Sequence, residues 1–296
     1  MNRTVAVLGP GAVGGALAAR LSLAGIRTIC VAPPETIGLI ALAGIVVETR
    51  DDTLTARVEV RERLEDEVGL VLVTVTAPSL EEAIERVDPA AVAEGVVLPL
   101  VNGIEHMQAL RARFDGRVAA GTISHFQAYR VGRVQIVQST SSPVITIASD
   151  SLAVRELERV AELLREARLD VRVGQSEKRV LWSKAVRIAA IAAATTATGR
   201  TVAELRSDPV WRERLLQALT EACEIAKADG VLLQVPAQWE IVEEIADETT
   251  VAAARDVVGR RRAELDAIVG SVLRAAERLG VPCPTLTELA ATAGLR

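Results

Sequence analysis

Apolar positions follow two regimes along the 296-residue chain. Short unbroken runs separated by glycine turns fill the first part, and helical spacing with no convincing strand fills the rest. Residues 4–8 form the first run, which ends directly in Gly9-Pro10-Gly11-Ala12-Val13-Gly14-Gly15. An alanine- and leucine-rich stretch over 16–24 comes next, then a second apolar run over 26–32. That order predicts strand, turn, helix, strand. A short helix is expected over 34–43, and a hairpin of 44–48 with 54–60 across the polar turn 50–53. Further strands are expected over 69–75, 96–101, 118–123, 131–137, 144–148 and 171–173. Helices should start near 78 and span 104–113 and 152–167. Strands alternating with helices over this length predict a doubly wound α/β domain. Beyond Gly174 only helices are expected, over 177–198, 209–228, 238–246 and 249–279. The expected fold class is α/β: an N-terminal Rossmann-like doubly wound domain over 1–173, followed by an all-helical C-terminal domain over 174–296.

The glycine spacing in that strand–turn–helix setting points to a dinucleotide. Gly9 would make the tight turn, Gly11 would let the backbone approach a pyrophosphate, and Gly14 would let helix pack on strand. The free N–H groups at the helix start, including those of Ala12 and Val13, would hold the phosphates.

Composition narrows the partners. Half the residues are apolar but only 2% are aromatic, so the core must be built from Ala, Val, Leu and Ile. A net charge of -5 and few stacking aromatics argue against nucleic acid. The cluster Arg260-Arg261-Arg262 reads as a solvated helix face. Cys30, Cys223 and Cys283 are odd in number and widely spaced, which suits small apolar fillers in a reducing compartment. With only His106 and His125 present, no metal site is expected. No apolar run approaches a membrane span, so no membrane partner is expected and a cytoplasmic location is. The helix over 249–279 is open to two readings, a homodimer face or a solvated surface.

Few residues can do chemistry. Lys184 stands in an otherwise apolar helix, where it either snorkels to the surface or is desolvated into a usable proton donor. Glu264 alone reads as an ordinary surface glutamate, and Asn102 either caps the next helix or meets a ligand. His125 also follows a strand and is a weaker acid/base candidate.

Taken together, the Gly9/Gly11/Gly14 turn, Val101-Asn102-Gly103-Ile104, Gly121-Thr122 with His125, and Trp182-x-Lys184 resemble the ketopantoate reductases (2-dehydropantoate 2-reductases). Asp256, Glu264-x-Asp266 with Gly270, and Gly280-Val281-Pro282-Cys283-Pro284 continue that resemblance in the same order. It implies hydride transfer from NADP(H) to a 2-oxo group of a small-molecule carbonyl substrate. Lys184 would donate the proton and Glu264 would bind the hydroxyl. Asn102 and Thr76 would contact the cofactor, with Asn102 also near the substrate.

Two departures stand out. Where the family carries asparagines after the lysine, this chain has Ile188 and Ala192, and the substrate-binding serine is Ala252. A substrate more apolar than ketopantoate is expected, with Arg187 gripping a carboxylate. The stretches Ala32-Pro33-Pro34-Glu35 and Val73-Thr74-Val75-Thr76 hold no cation for a 2′-phosphate, so NAD(H) is permitted. The rival readings are a genuine 2-dehydropantoate 2-reductase of pantothenate biosynthesis and a non-catalytic NAD(P)-binding sensor.

Overall fold

Four-residue strands of branched aliphatic residues build the core of the first unit. In the computed structural model, residues 2–132, 134–139, 143–245 and 258–295 are described. β1 (Val5–Leu8) is buried throughout, α1 (Ala12–Leu23) follows the glycine turn, and β2 (Thr28–Val31) pairs parallel to β1. α2 (Pro34–Ala43) leads into the antiparallel hairpin of β3 (Ile45–Glu48) and β4 (Thr53–Ala56). β5 (Glu59–Arg61), β6 (Leu70–Val73), α3 (Leu80–Ile84), β7 (Val96–Pro99) and α4 (His106–Phe114) come next. β8 (Ala120–Ser124), β9 (Ala128–Val131), β10 (Gln135–Gln138), β11 (Val144–Ala148), α5 (Val154–Glu166) and β12 (Asp170–Val173) complete the β-containing part.

The strands sort into three sheets. The first is all parallel, in the order β5-β2-β1-β6-β7. The second runs β4-β3-β10-β9 and the third β12-β11-β8. α1 contacts strands of the first sheet and all four of the second, which explains why it is apolar all round. Gly14, Gly15, Ala16, Leu17, Ala18, Ala19 and Leu21 are all buried, and a Cβ on Gly15 would meet Ile136 and Ile45 of the second sheet. One expectation is corrected. Residues 54–60 do not form a single strand; the chain leaves the hairpin after Ala56 and pairs as β5 with β2 in the first sheet.

The second unit is helical. α6 (Glu177–Thr198), α7 (Val202–Ser207), α8 (Pro209–Ala228), α9 (Val235–Glu243), α10 (Val258–Leu265), α11 (Ser271–Leu279) and α12 (Pro284–Thr292) are described. α10 and α11 are joined by a π-helical turn, Asp266–Gly270. α7 and α12 were not expected. α7 is short but well capped, with Thr201 Oγ1 accepting from Glu204 N and the Glu204 carboxylate accepting from Thr201 N. The start of α12 is capped from a distance: Thr285 N and Leu286 N donate to the Glu221 carboxylate of α8 at 2.9 and 2.8 Å.

The units divide as Met1–Val101 with His106–Val180, and Asn102–Glu105 with Leu181–Arg296. The division falls later than residue 174 because the first turn of α6 is anchored in the β-containing unit. There the buried Glu177 carboxylate accepts from Asp150 N at 3.0 Å and pairs with Arg111. A second correction concerns α6 itself, which by length and composition is apolar enough to cross a membrane. Some 67% of its apolar window is buried, and alanine and isoleucine pack it into the helical core.

Candidate active site

The glycine turn is locked from both sides. Gly9 has φ +84°, a backbone conformation that favours glycine, and its N–H donates to Val31 O at 3.0 Å. Thr74, just beyond β6, donates from its hydroxyl to Leu8 O at 3.0 Å and to Gly9 O at 2.8 Å. A Cβ on Gly14 would collide with Thr74 Oγ1 and the Gly9 carbonyl. Gly11 differs. A Cβ there would meet only Gly9 O, at 4.0 Å, so nothing among the described residues demands a glycine at that position. Gly11 is also the residue that enters α1, and α1 starts with no side-chain cap and no acidic residue in its first turn. The N–H groups of Ala12, Val13 and Gly14 are therefore left for an outside acceptor, which is what a pyrophosphate needs. The residues present fit a dinucleotide. Thr76 follows β6 beside this turn, exposed, with its hydroxyl donating to Ser79 Oγ at 3.2 Å.

Charge at the end of β2 is mixed. Glu35 sits exposed in the first turn of α2. β5 ends opposite Val31 with Arg61, which contacts Glu59 at 3.3 Å and Asp66 at 3.5 Å. Arg63 stands exposed beyond it.

In the helical unit, Lys184, Arg187 and Ile188 share one face of α6 by their spacing. Lys184 is half-buried. Burial strips its ammonium of water and, helped by the charge of Arg187, pulls its pKa down to about 8. Arg187 is itself lowered to about 10 by burial. Its Nη1 donates to Oε1 of Gln238, a buried glutamine on α9. Among the described residues, no carboxylate forms an ion pair with either cation. Ile188 packs against the helical core, and Ala192 is fully buried in it. Trp182 is pinned one turn earlier, its Nε1 donating to Asp229 Oδ2 at 2.9 Å.

Glu264, half-buried near the end of α10, lies two residues before the π turn. Such turns often sit at functional sites. Segment 102–105 packs against this turn, because a Cβ on Gly103 would strike Ala267 O, and Arg274 bridges the two. The Arg274 guanidinium donates to the Glu105 carboxylate at 2.9 and 2.7 Å and to Asp266 Oδ1 at 2.9 Å. Asn102 is exposed on this segment, four residues before α4 begins, too far away to cap it. Asn102, Glu264, Lys184, Arg187 and Ile188 therefore all belong to the helical unit. Gly9, Gly11, Ala12, Val13, Gly14 and Thr76 belong to the other. Ala252 and Asp256 lie outside the described residues. His125 is exposed with φ +51°. Sequence reasoning missed Thr74 and Gln238, since each matters through a partner far away in the chain.

Residues 5–150 match the family model described as ketopantoate reductase PanE/ApbA, and residues 178–295 match its C-terminal counterpart. The chain is 22% identical over 289 residues to the oxidoreductase YkpB of Bacillus subtilis (strain 168), covering 95% of this chain and 94% of that one. It is 25% identical over 279 residues to the 2-dehydropantoate 2-reductase of Archaeoglobus fulgidus, covering 94% and 92%. Among solved structures, a D-mandelate dehydrogenase with NADH and anilino(oxo)acetate shares the fold at a TM-score of 0.87 and 19% identity, covering 98% of this chain and 97% of that one.

Proposed function

As the chain belongs to the ketopantoate reductase PanE/ApbA family, we propose that it reduces an apolar 2-oxo acid to the 2-hydroxy acid, with Lys184 as proton donor. Family membership makes it an oxidoreductase that uses NAD(P) and acts on CH–OH groups. The observation that carries the finer reading is the partly desolvated ammonium of Lys184, one turn from Arg187 and with no carboxylate partner among the described residues. The reaction balances as 2-oxo acid, NAD(P)H and a proton giving 2-hydroxy acid and NAD(P)+. When bound, the reduced nicotinamide supplies the hydride.

The protein's own residues do the rest. Negative charge develops on the carbonyl oxygen as the C–H bond forms, and the Lys184 ammonium both stabilises and protonates it. By the family resemblance, Glu264 accepts a hydrogen bond from the product hydroxyl and Asn102 steadies cofactor and substrate. The N–H groups at the start of α1 hold the pyrophosphate. Ile188 and Ala192 offer no hydrogen bond where the resemblance calls for asparagines. A substrate rich in hydroxyls loses its partners there, which disfavours it strongly. The likeness to a D-mandelate dehydrogenase is in keeping with an apolar side chain.

We further propose that NADH is preferred, because the acidic Glu35 follows β2 in the first turn of α2 and Arg61 beside the end of β2 is already engaged by Glu59 and Asp66. A hundredfold tighter Kd for NADPH would overturn this, and would point to Arg61 and Arg63 as the phosphate site.

The test is NAD(P)H oxidation against a panel of 2-oxo acids that includes 2-dehydropantoate, repeated with Lys184→Ala. The variant is expected to lose about 10²- to 10⁴-fold in kcat with cofactor affinity unchanged. Unaltered turnover removes Lys184 from its role. Efficient reduction of 2-dehydropantoate removes the apolar substrate, and no turnover with tight cofactor binding favours the sensor.

A further inference from the structure

We propose that Arg187, held by Gln238, is the carboxylate-binding group of this enzyme, and that Gln238 is a positioning residue that sets its discrimination between charged and neutral carbonyl compounds. Three observations on the helical unit carry it. Arg187 is half-buried on the same helical face as Lys184, so two partly desolvated cations lie one turn apart. Among the described residues neither has a carboxylate partner, although half-buried Arg86, Arg113, Arg117, Arg200 and Arg214 each have one. Among the described residues the hydrogen-bond partner of Arg187 is neutral: the buried Gln238 accepts from Nη1 and holds the guanidinium without cancelling its charge. The nearby Cys223 thiol, its pKa pushed up to about 11 by burial, is neutral too.

A partly desolvated guanidinium without a carboxylate partner costs stability, and that cost is offset when an anion binds. A planar carboxylate fits a guanidinium better than any other small anion, because two N–H groups can point at two oxygens. Gln238 engages Nη1 and leaves the other N–H groups to donate. Lys184, three residues earlier, then lies toward the neighbouring oxo group of a 2-oxo acid, and Ile188 supplies apolar surface beside both. The reductase reading enters only in naming the anion as a 2-oxo acid. The anion site itself follows from the three observations.

Calorimetric titration of the NADH-loaded protein with anilino(oxo)acetate and with its neutral carboxamide tests this, since neither is consumed. The wild type should prefer the carboxylate by at least about 100-fold. Arg187→Met should abolish that preference while leaving carboxamide binding within about threefold. Gln238→Leu should reduce the preference about 5- to 10-fold, by loosening the guanidinium.

Gln238→Glu guards against misfolding as an explanation. It places a carboxylate of the protein itself on Arg187, so the thermal midpoint should hold or rise while the preference collapses. Undiminished preference in Arg187→Met or Gln238→Glu overturns the inference, as does failure of the wild type to bind the carboxylate at millimolar concentration. Equal losses for carboxylate and carboxamide overturn it too, by showing general damage. If the titrations agree but no 2-oxo acid is reduced, the anion site stands and the reductase reading fails.

Discussion

The glycine turn and the Lys184–Arg187 face are built on opposite principles. Gly9, Gly14 and Thr74 are fixed by backbone geometry and steric exclusion, with the Thr74 hydroxyl donating to Leu8 O and Gly9 O. Lys184 and Arg187 are held under electrostatic tension instead: two half-buried cations that no carboxylate pairs among the described residues, with the neutral Gln238 bonded to one of them. The first region stabilises the fold and binds as a consequence of its shape. The second costs the fold stability, which the proposed anion would offset on binding. Residues of the two regions should therefore respond to substitution in opposite ways.

The largest expected contrast lies within the turn. Gly14→Val forces side-chain atoms into Thr74 and the Gly9 carbonyl, and is expected to cost about 3–5 kcal/mol in chemical denaturation. Gly11→Ala meets open space, so stability should move by less than about 0.5 kcal/mol. Dinucleotide affinity in the same variant should fall about tenfold or more, measured by quenching or calorimetry, because the methyl group would fill the open space that the proposed pyrophosphate site needs. A Gly11→Ala variant that unfolds instead would show that the turn is strained at that position as well.

The pH response comes next in size. A lysine with pKa about 8 is protonated below that value and able to donate. The rate of carbonyl reduction should be flat on the acid side of pH 8 and fall about tenfold per unit above it. A profile that stays flat to pH 10 would rule out Lys184 as the titrating donor.

The smallest effect is the most diagnostic of the tension. The folded-state pKa of Lys184 lies below its ordinary 10.5, so the charged form penalises the folded protein. That penalty is fully present below about pH 8 and vanishes above 10.5. Lys184→Met should therefore stabilise the protein by about 1 kcal/mol at pH 7. The gain should shrink as pH rises through that window, followed by thermal melts at several pH values.

Local signals were read well where they decide structure locally. α6 spans residues 177–198 and α8 spans 209–228, as their sequences predict, because Pro209 and the Asp208 cap fix the start of α8. The glycine turn is legible for the same reason. Long-range pairing is what the sequence hides. Nothing near residue 57 signals that the chain changes sheets to pair Glu59–Arg61 with β2, and nothing near Gln238 shows that its partner lies in α6. α7 escapes notice because it is only six residues long. The π turn after Glu264 is equally silent, since its sequence continues the helical pattern.

α1 has one more consequence, because it is enclosed by strands of two sheets and has no watery side. A surface helix can drift in sequence on its outer half; this one has no outer half to vary. Its freedom to evolve is confined to its two ends, and the N-terminal end is already given over to the turn. Changes of cofactor choice in such a scaffold must therefore be written in the loops beyond β2, β5 and β6. On the proposed reading, changes of substrate are then left to the other unit, where an exchange such as asparagine for Ile188 disturbs no sheet.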